Sequence, residues 1–324
     1  MTALNRLSLG FLPSVSFDQA YGDQELRAAA NRLVKHGDWG PARDLLLASG
    51  SDWALKDHRV QYLSLRAAGK PVLREWAEVD RESSDPLTVL SRAEVIRGWT
   101  ARGAKRAKYV RKDAWPTFFS ALAHADDLAA QASERAPLDP TPLATALHIA
   151  RGLSVSRREF DARWEALAAR DPLHRTGHRH ALQYLCAKWS GSHKEMFRFA
   201  RNAAEQAPAG HPLVVLPMVA QLEMRLAKGN TGMGSGRFGM DLARVRERWS
   251  EAERQQHPRI AEDHALLALY LSLLGRRPEA AAHFRAMGRH ASTEGWVYTS
   301  LVPRGAFLMG RAAALRSADG NQRS

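Results

Sequence analysis

Cysteine is nearly missing from this chain: of 324 residues only Cys186 carries a thiol. That excludes an internal disulfide and a cysteine-rich metal site, and it points to a reducing compartment. No run of apolar residues approaches the length that crosses a bilayer. The first residues, MTALNRLSLGFLPSVSFDQAYGD, have one early Arg but no long apolar stretch and no small-residue cleavage pattern, so they read poorly as a signal peptide. A location in the cytoplasm is the expectation. Sustained period-two alternation is also lacking, which leaves no sheet to predict. Missing too are HExxH and a Gly-Lys-Ser/Thr ending to the glycine-rich stretch KGNTGMGSGRFGM, so that stretch reads as a linker and not a phosphate loop.

What is present is helix-forming and basic. Apolar residues make up 45% and charged residues 25% of the chain, a folded composition. Lys and Arg outnumber Asp and Glu by 47 to 34, giving a formal charge of +13 and an isoelectric point near 10.3. Acidic partners follow from that balance: acidic protein segments, nucleic acid or an anionic surface.

The pattern from residue 171 to residue 208 organises the rest. Asp171-Pro172 opens a helix expected to run to about Trp189, with Leu182, Leu185, Cys186 and Trp189 on one face. After Ser-Gly-Ser a second helix places Met196, Phe199, Ala200 and Ala203 together. One hairpin cannot bury both faces, so similar hairpins must flank it. They do so in the pattern. Leu26, Ala29, Ala30 and Leu33 precede a break at Gly37, and Trp39, Ala42, Leu45 and Leu46 follow it. Leu90, Ala93, Ile96 and Trp99 share a face, a long helix is expected over 117–135, and Ser156 reads as the cap of the helix carrying Phe160, Trp164 and Leu167. Further helices are expected over 242–256 and 260–274, over 279–290, and over 296–315 with an interruption at Pro303.

Prolines 140, 172 and 208 stand close to the roughly 34-residue period of tetratricopeptide repeats. Leu128, Phe160 and Met196 lie twelve residues before them, and Ala132, Trp164 and Ala200 eight before. Leu267, Ala268, Leu271, Ala280 and Phe284 fit the packing positions of a last hairpin. The chain thus resembles a degenerate tetratricopeptide-like array, and its central segment resembles an uncharacterised bacterial family of such domains. The resemblance implies an all-α solenoid of stacked helical hairpins over 23–316, with inserts at 103–116 and 228–240. A capping segment at 1–22 and a disordered tail at 317–324 complete the expected organisation. It further implies an interaction scaffold that takes a peptide or protein segment, acidic or amphipathic, in a concave basic groove. It carries no catalytic residue and no cofactor with it.

Two groups of side chains are candidate partner-binding residues. Lys105, Arg106, Lys108, Arg111 and Lys112 surround Tyr109, a pattern that neutralises phosphates or carboxylates and offers a ring to stack. This group also supports the runner-up function, nucleic-acid binding; as a surface segment it is an ordinary solvated charge run. His174, Arg175, His178 and Arg179 crowd a helix start together with His180. His174 and His178 are four apart and share a helical face, but no acidic residue completes a metal set. A solvated or structurally hydrogen-bonded cluster is the plain reading for this group, an anion at the helix N-terminus is the functional one, and an unrecognised enzyme centred there is the third functional alternative. No pair of carboxylates is placed for acid and base work.

Overall fold

The structure is a computed structural model that describes residues 14–103, 109–227, 235–249 and 256–321. Among the described residues the chain is all-helical, and the sole extended pairing is one bridge between Ser16 and His290. None of the described helices is long and apolar enough to cross a membrane. The chain divides into two compact units, one formed by Asp23–Ala220 with Arg244–Pro258, the other by Met1–Gly22, Gln221–Ala243 and Arg259–Ser324.

The larger unit begins with α1 (Gln24–His36), α2 (Gly40–Ala48), α3 (Trp53–Ala67) and α4 (Val72–Val79). It continues with α5 (Asp85–Arg102), α6 (Ala114–Arg135), α7 (Thr141–Leu153), α8 (Arg157–Arg170), α9 (Arg175–Tyr184) and α10 (His193–Gln206). Local chemistry sets the ends. The Asp23, Asp52, Ser156 and Ser192 side chains each accept a first-turn backbone N–H, and Gly37 closes α1 at φ 67°, where a β-carbon is disfavoured. The odd-numbered helices pack one on the next, α1 on α3, α3 on α5, α5 on α7 and α7 on α9. Each even-numbered helix lies against its odd neighbour.

This order puts α5 inside: every residue from Asp85 to Val95 is buried. Its far half packs Val95 with Phe118, Leu122, Ala125 and Ala129 of α6 and with Ile149 of α7. The next layer joins Ala144, Leu147 and Ala150 to Phe160 and Leu167 of α8 and to Ala181, Tyr184 and Leu185, with Phe160 stacked on Tyr184 at 3.8 Å. Burial at this scale, roughly 25 cal/mol per Å² of apolar surface, is what holds the helices together.

The smaller unit is built around α13 (Ile260–Leu273), which is buried from Ala261 to Leu271. Beyond its first turn, which buries Glu262, Asp263 and His264, the helix is almost wholly apolar and belongs inside, and α14 (Arg277–Ala286) and α15 (Pro303–Asn321) cover it. Phe284, Trp296 and Phe307 pack edge to face or tilted, and Phe17 adds its edge to Phe307 at 5.5 Å. The Ser16 N–H donates to Arg289 and the Ala291 N–H to Ser16. Two further helices, α11 (Leu216–Ala227) and α12 (Ser235–Arg248), contribute residues to both units. Their Gln221 and Asp241 side chains form a buried hydrogen bond of 2.7 Å within the smaller unit.

Several details differ from the sequence expectation. α9 ends at Tyr184, five residues early, because the chain folds back over its last turn: Ser190 N–H donates to the Tyr184 carbonyl, and a β-carbon at Gly191 would fall 2.1 Å from the Leu185 carbonyl oxygen. Helix α15 continues through 317–321, into the stretch expected as a tail. Helix α12 begins at Ser235, inside the expected insert 228–240, whose residues 228–234 lie outside the described ones. The strip around residue 16, expected against the first hairpin, pairs with residues 289–291. The positions behind the repeat resemblance, among them Leu128, Phe160, Met196, Leu267, Ala280 and Phe284, are buried, which any packed hairpin requires.

Candidate functional site

The N-terminal ends of α3, α5, α7 and α9 hold a buried ionic hub. Lys56, in the first turn of α3, places its Nζ 2.7 Å from Asp85 at the head of α5 and 2.8 Å from Asp139 just before α7. Next to it Arg92 donates to Asp57 at 2.7 Å and to the Thr145 hydroxyl at 2.9 Å, and the Thr176 hydroxyl donates to Asp57 at 2.6 Å. Asp139 also accepts the Thr141 N–H at 2.8 Å. Carboxylates at helix N-termini complement the helix dipoles, and the two cations neutralise them across helices. Burial pushes the Asp85 carboxyl up, against the pull of Lys56.

One sequence candidate, His174, borders this hub, and a second, His178, follows it one turn later. The His174 ring is the N-cap of α9: its Nδ1 accepts the Gly177 N–H at 3.1 Å, so in the neutral ring the proton sits on Nε2. His178 donates from Nδ1 to the His174 carbonyl at 3.0 Å and lies edge-on to Trp164 at 4.8 Å. Both are buried, 4% exposed each, and burial lowers the basicity of both, His178 to about 4. At neutral pH they are uncharged. The expected anion site at this N-terminus is therefore capped from within by His174, while Arg175 and Arg179 stand half-buried on the same helix. Among the described residues no three potential metal ligands come together.

The second sequence group lies on the linker from α5 to α6. Lys105, Arg106 and Lys108 fall outside the described residues. Tyr109 is 60% exposed, Lys112 is exposed, and Arg111 is drawn onto Asp113 in a two-pronged pair at 3.0 and 2.5 Å.

Beside that linker the C-terminal ends of α5 and α7 carry side chains that sequence reasoning assigned to the core or passed over. Arg102, in the last turn of α5, sits over the rings of Trp99, Trp115 and Trp189 at 5.3 to 5.9 Å. Arg151, in the last turn of α7, sits over Trp99 at 4.8 Å and Trp189 at 5.4 Å. His148 stacks on Trp99 at 5.7 Å and on His180 at 4.3 Å. Burial and nearby cations hold His148 well below its usual value, and burial alone lowers Arg102. A signal existed in the sequence: Trp99 and Arg102, like His148 and Arg151, are three apart at a helix end, where a ring and a cation share one face.

No family model matches the chain, and no curated protein or solved structure matches it significantly.

Proposed function

We propose that the protein is an interaction scaffold, a tetratricopeptide-like solenoid of helical hairpins that binds an acidic protein or peptide segment. The observation that carries this reading is the α5–α6 linker, where Tyr109 and Lys112 are both exposed, in a segment that also has Lys105, Arg106 and Lys108 in its sequence. The serial packing of α1, α3, α5, α7 and α9 supports the scaffold part, since stacked hairpins present linkers in a row. Excess positive charge supports the choice of an acidic partner.

Binding of a fluorescent glutamate-rich peptide tests it. Changing Lys105, Arg106, Lys108 and Lys112 together to Ala weakens binding by about tenfold or more, equivalent to ~1.4 kcal/mol. Unchanged affinity in that variant rejects the linker as the recognition element. A second reading, single-stranded nucleic acid, is favoured by the aromatic and cationic mix of Tyr109, Trp115 and Arg102. It prevails if an oligothymidylate binds in preference to the peptide and its affinity falls steeply with salt.

A further inference from the structure

The indole and guanidinium cluster at the ends of α5 and α7 offers hydrogen-bond donors in unusual concentration. Arg102 and Arg151 bring two guanidinium groups, and Trp99 and Trp189 bring two indole N–H groups. Both indole nitrogens are buried with no acceptor among the described residues. A buried donor left without a partner costs about 1–3 kcal/mol, which an incoming acceptor recovers. The two arginine planes are already ordered against ring faces, Arg102 with its Nη1 also donating to the Gly103 carbonyl at 3.0 Å, so an oxyanion meets cations that are held in place before it arrives.

We infer that this cluster is a slot for a side-chain carboxylate of the acidic segment, lined by Arg102, Arg151, Trp99 and Trp189. The inference rests on the peptide-binding reading above and extends it inward from the linker. A carboxylate suits the slot because it is planar, matching the fork of a guanidinium, and slender, arriving on a flexible side chain. A phosphodiester oxygen comes flanked by two sugars and fits a half-buried cluster less well. Trp189 follows α9 in the folded-back turn and is half-exposed, so the ligand reaches the cluster from the Trp189 side. Trp99 is held by α5 and by its contacts with Phe118 and His148.

The test is calorimetric titration of a glutamate-rich peptide, and of its glutamine counterpart, into the wild-type chain and into Trp189→Phe, Arg151→Gln and the linker variant. Trp189→Phe keeps an aromatic ring and removes only one donor. The slot predicts that Trp189→Phe weakens the glutamate peptide severalfold and Arg151→Gln about tenfold, with the glutamine peptide weak in every case. Circular dichroism and urea midpoints establish that each variant folds; should Arg151→Gln fail there, Trp189→Phe decides. Wild-type affinity in Trp189→Phe and Arg151→Gln, with loss in the linker variant, overturns the slot and leaves the peptide reading standing. Absence of peptide binding to the wild-type chain overturns both.

Discussion

The two ends of the helix row α5, α7 and α9 treat charge in opposite ways. At the N-terminal end Asp57, Asp85 and Asp139 are closed off by Lys56 and Arg92 at hydrogen-bond distance. At the C-terminal end Arg102 and Arg151 rest on indole faces. Both arrangements satisfy the helix dipole, with acids at the heads and bases at the tails. They differ in what is left over. Charges inside the hub are consumed in holding four helix starts together, whereas beside the cations on ring faces the Trp99 and Trp189 indole N–H groups are buried with no acceptor among the described residues. On the proposed reading, structure and recognition are separated along the length of the same helices.

The strongest way to break this comparison is to remove one cation from the hub. Lys56→Met strands Asp85 and Asp139 in the interior, and loss of one partner from a buried ion pair costs about 3–5 kcal/mol. Urea unfolding reads this directly, and a loss below about 1 kcal/mol would show that the hub is solvated and structurally idle.

Acid sharpens it next. The His178 base is held at about 4 in the folded chain against 6.5 when exposed, so the unfolded chain takes up a proton first as pH falls. Stability from this group is intact above pH 6.5 and declines between 6.5 and 4, by roughly 3 kcal/mol in all. His174 is shifted in the same direction and adds to the decline. His178→Phe should flatten the stability profile over that window; an equally steep profile in the variant assigns the effect elsewhere.

At the other end the effects on stability are smaller. Arg151→Gln gives up two ring contacts worth about 1 kcal/mol together, well short of Lys56→Met in the same urea assay. Smallest is Arg111→Ala: its pair with Asp113 is exposed, and no change in unfolding midpoint is expected. A shift in midpoint comparable to that of Lys56→Met at either position would erase the distinction between the two ends.

The helices were largely legible because their spacing is a local property. The sequence 267–284 repeats Leu, Ala and Phe at helical steps, and those residues are indeed buried on α13 and α14. Where the chain doubles back, as at Gly191 over Leu185, periodicity alone extends a helix too far. The hub was illegible for a different reason. Asp57, Asp85 and Asp139 each look like an ordinary polar residue near a helix start, and only packing of three separate hairpins brings them to Lys56 and Arg92. His174 and His178 stood out as a group, yet burial decides that they are neutral, and for His178 it depends on Trp164 and Phe199 on other helices. Trp99 was assigned to the core by its face on α5; the arginines over it lie 3 and 52 residues further on.

The most direct test follows the indole N–H signals of tryptophan-labelled protein by nuclear magnetic resonance as a glutamate-rich peptide is added, with Trp99→Phe and Trp189→Phe identifying two of the nine signals. Without an acceptor those two protons should start upfield of hydrogen-bonded indoles and move downfield together on binding, while the Trp164 signal beside the hub stays in place. Movement of the Trp164 signal with the Trp99 and Trp189 signals unmoved would contradict the account.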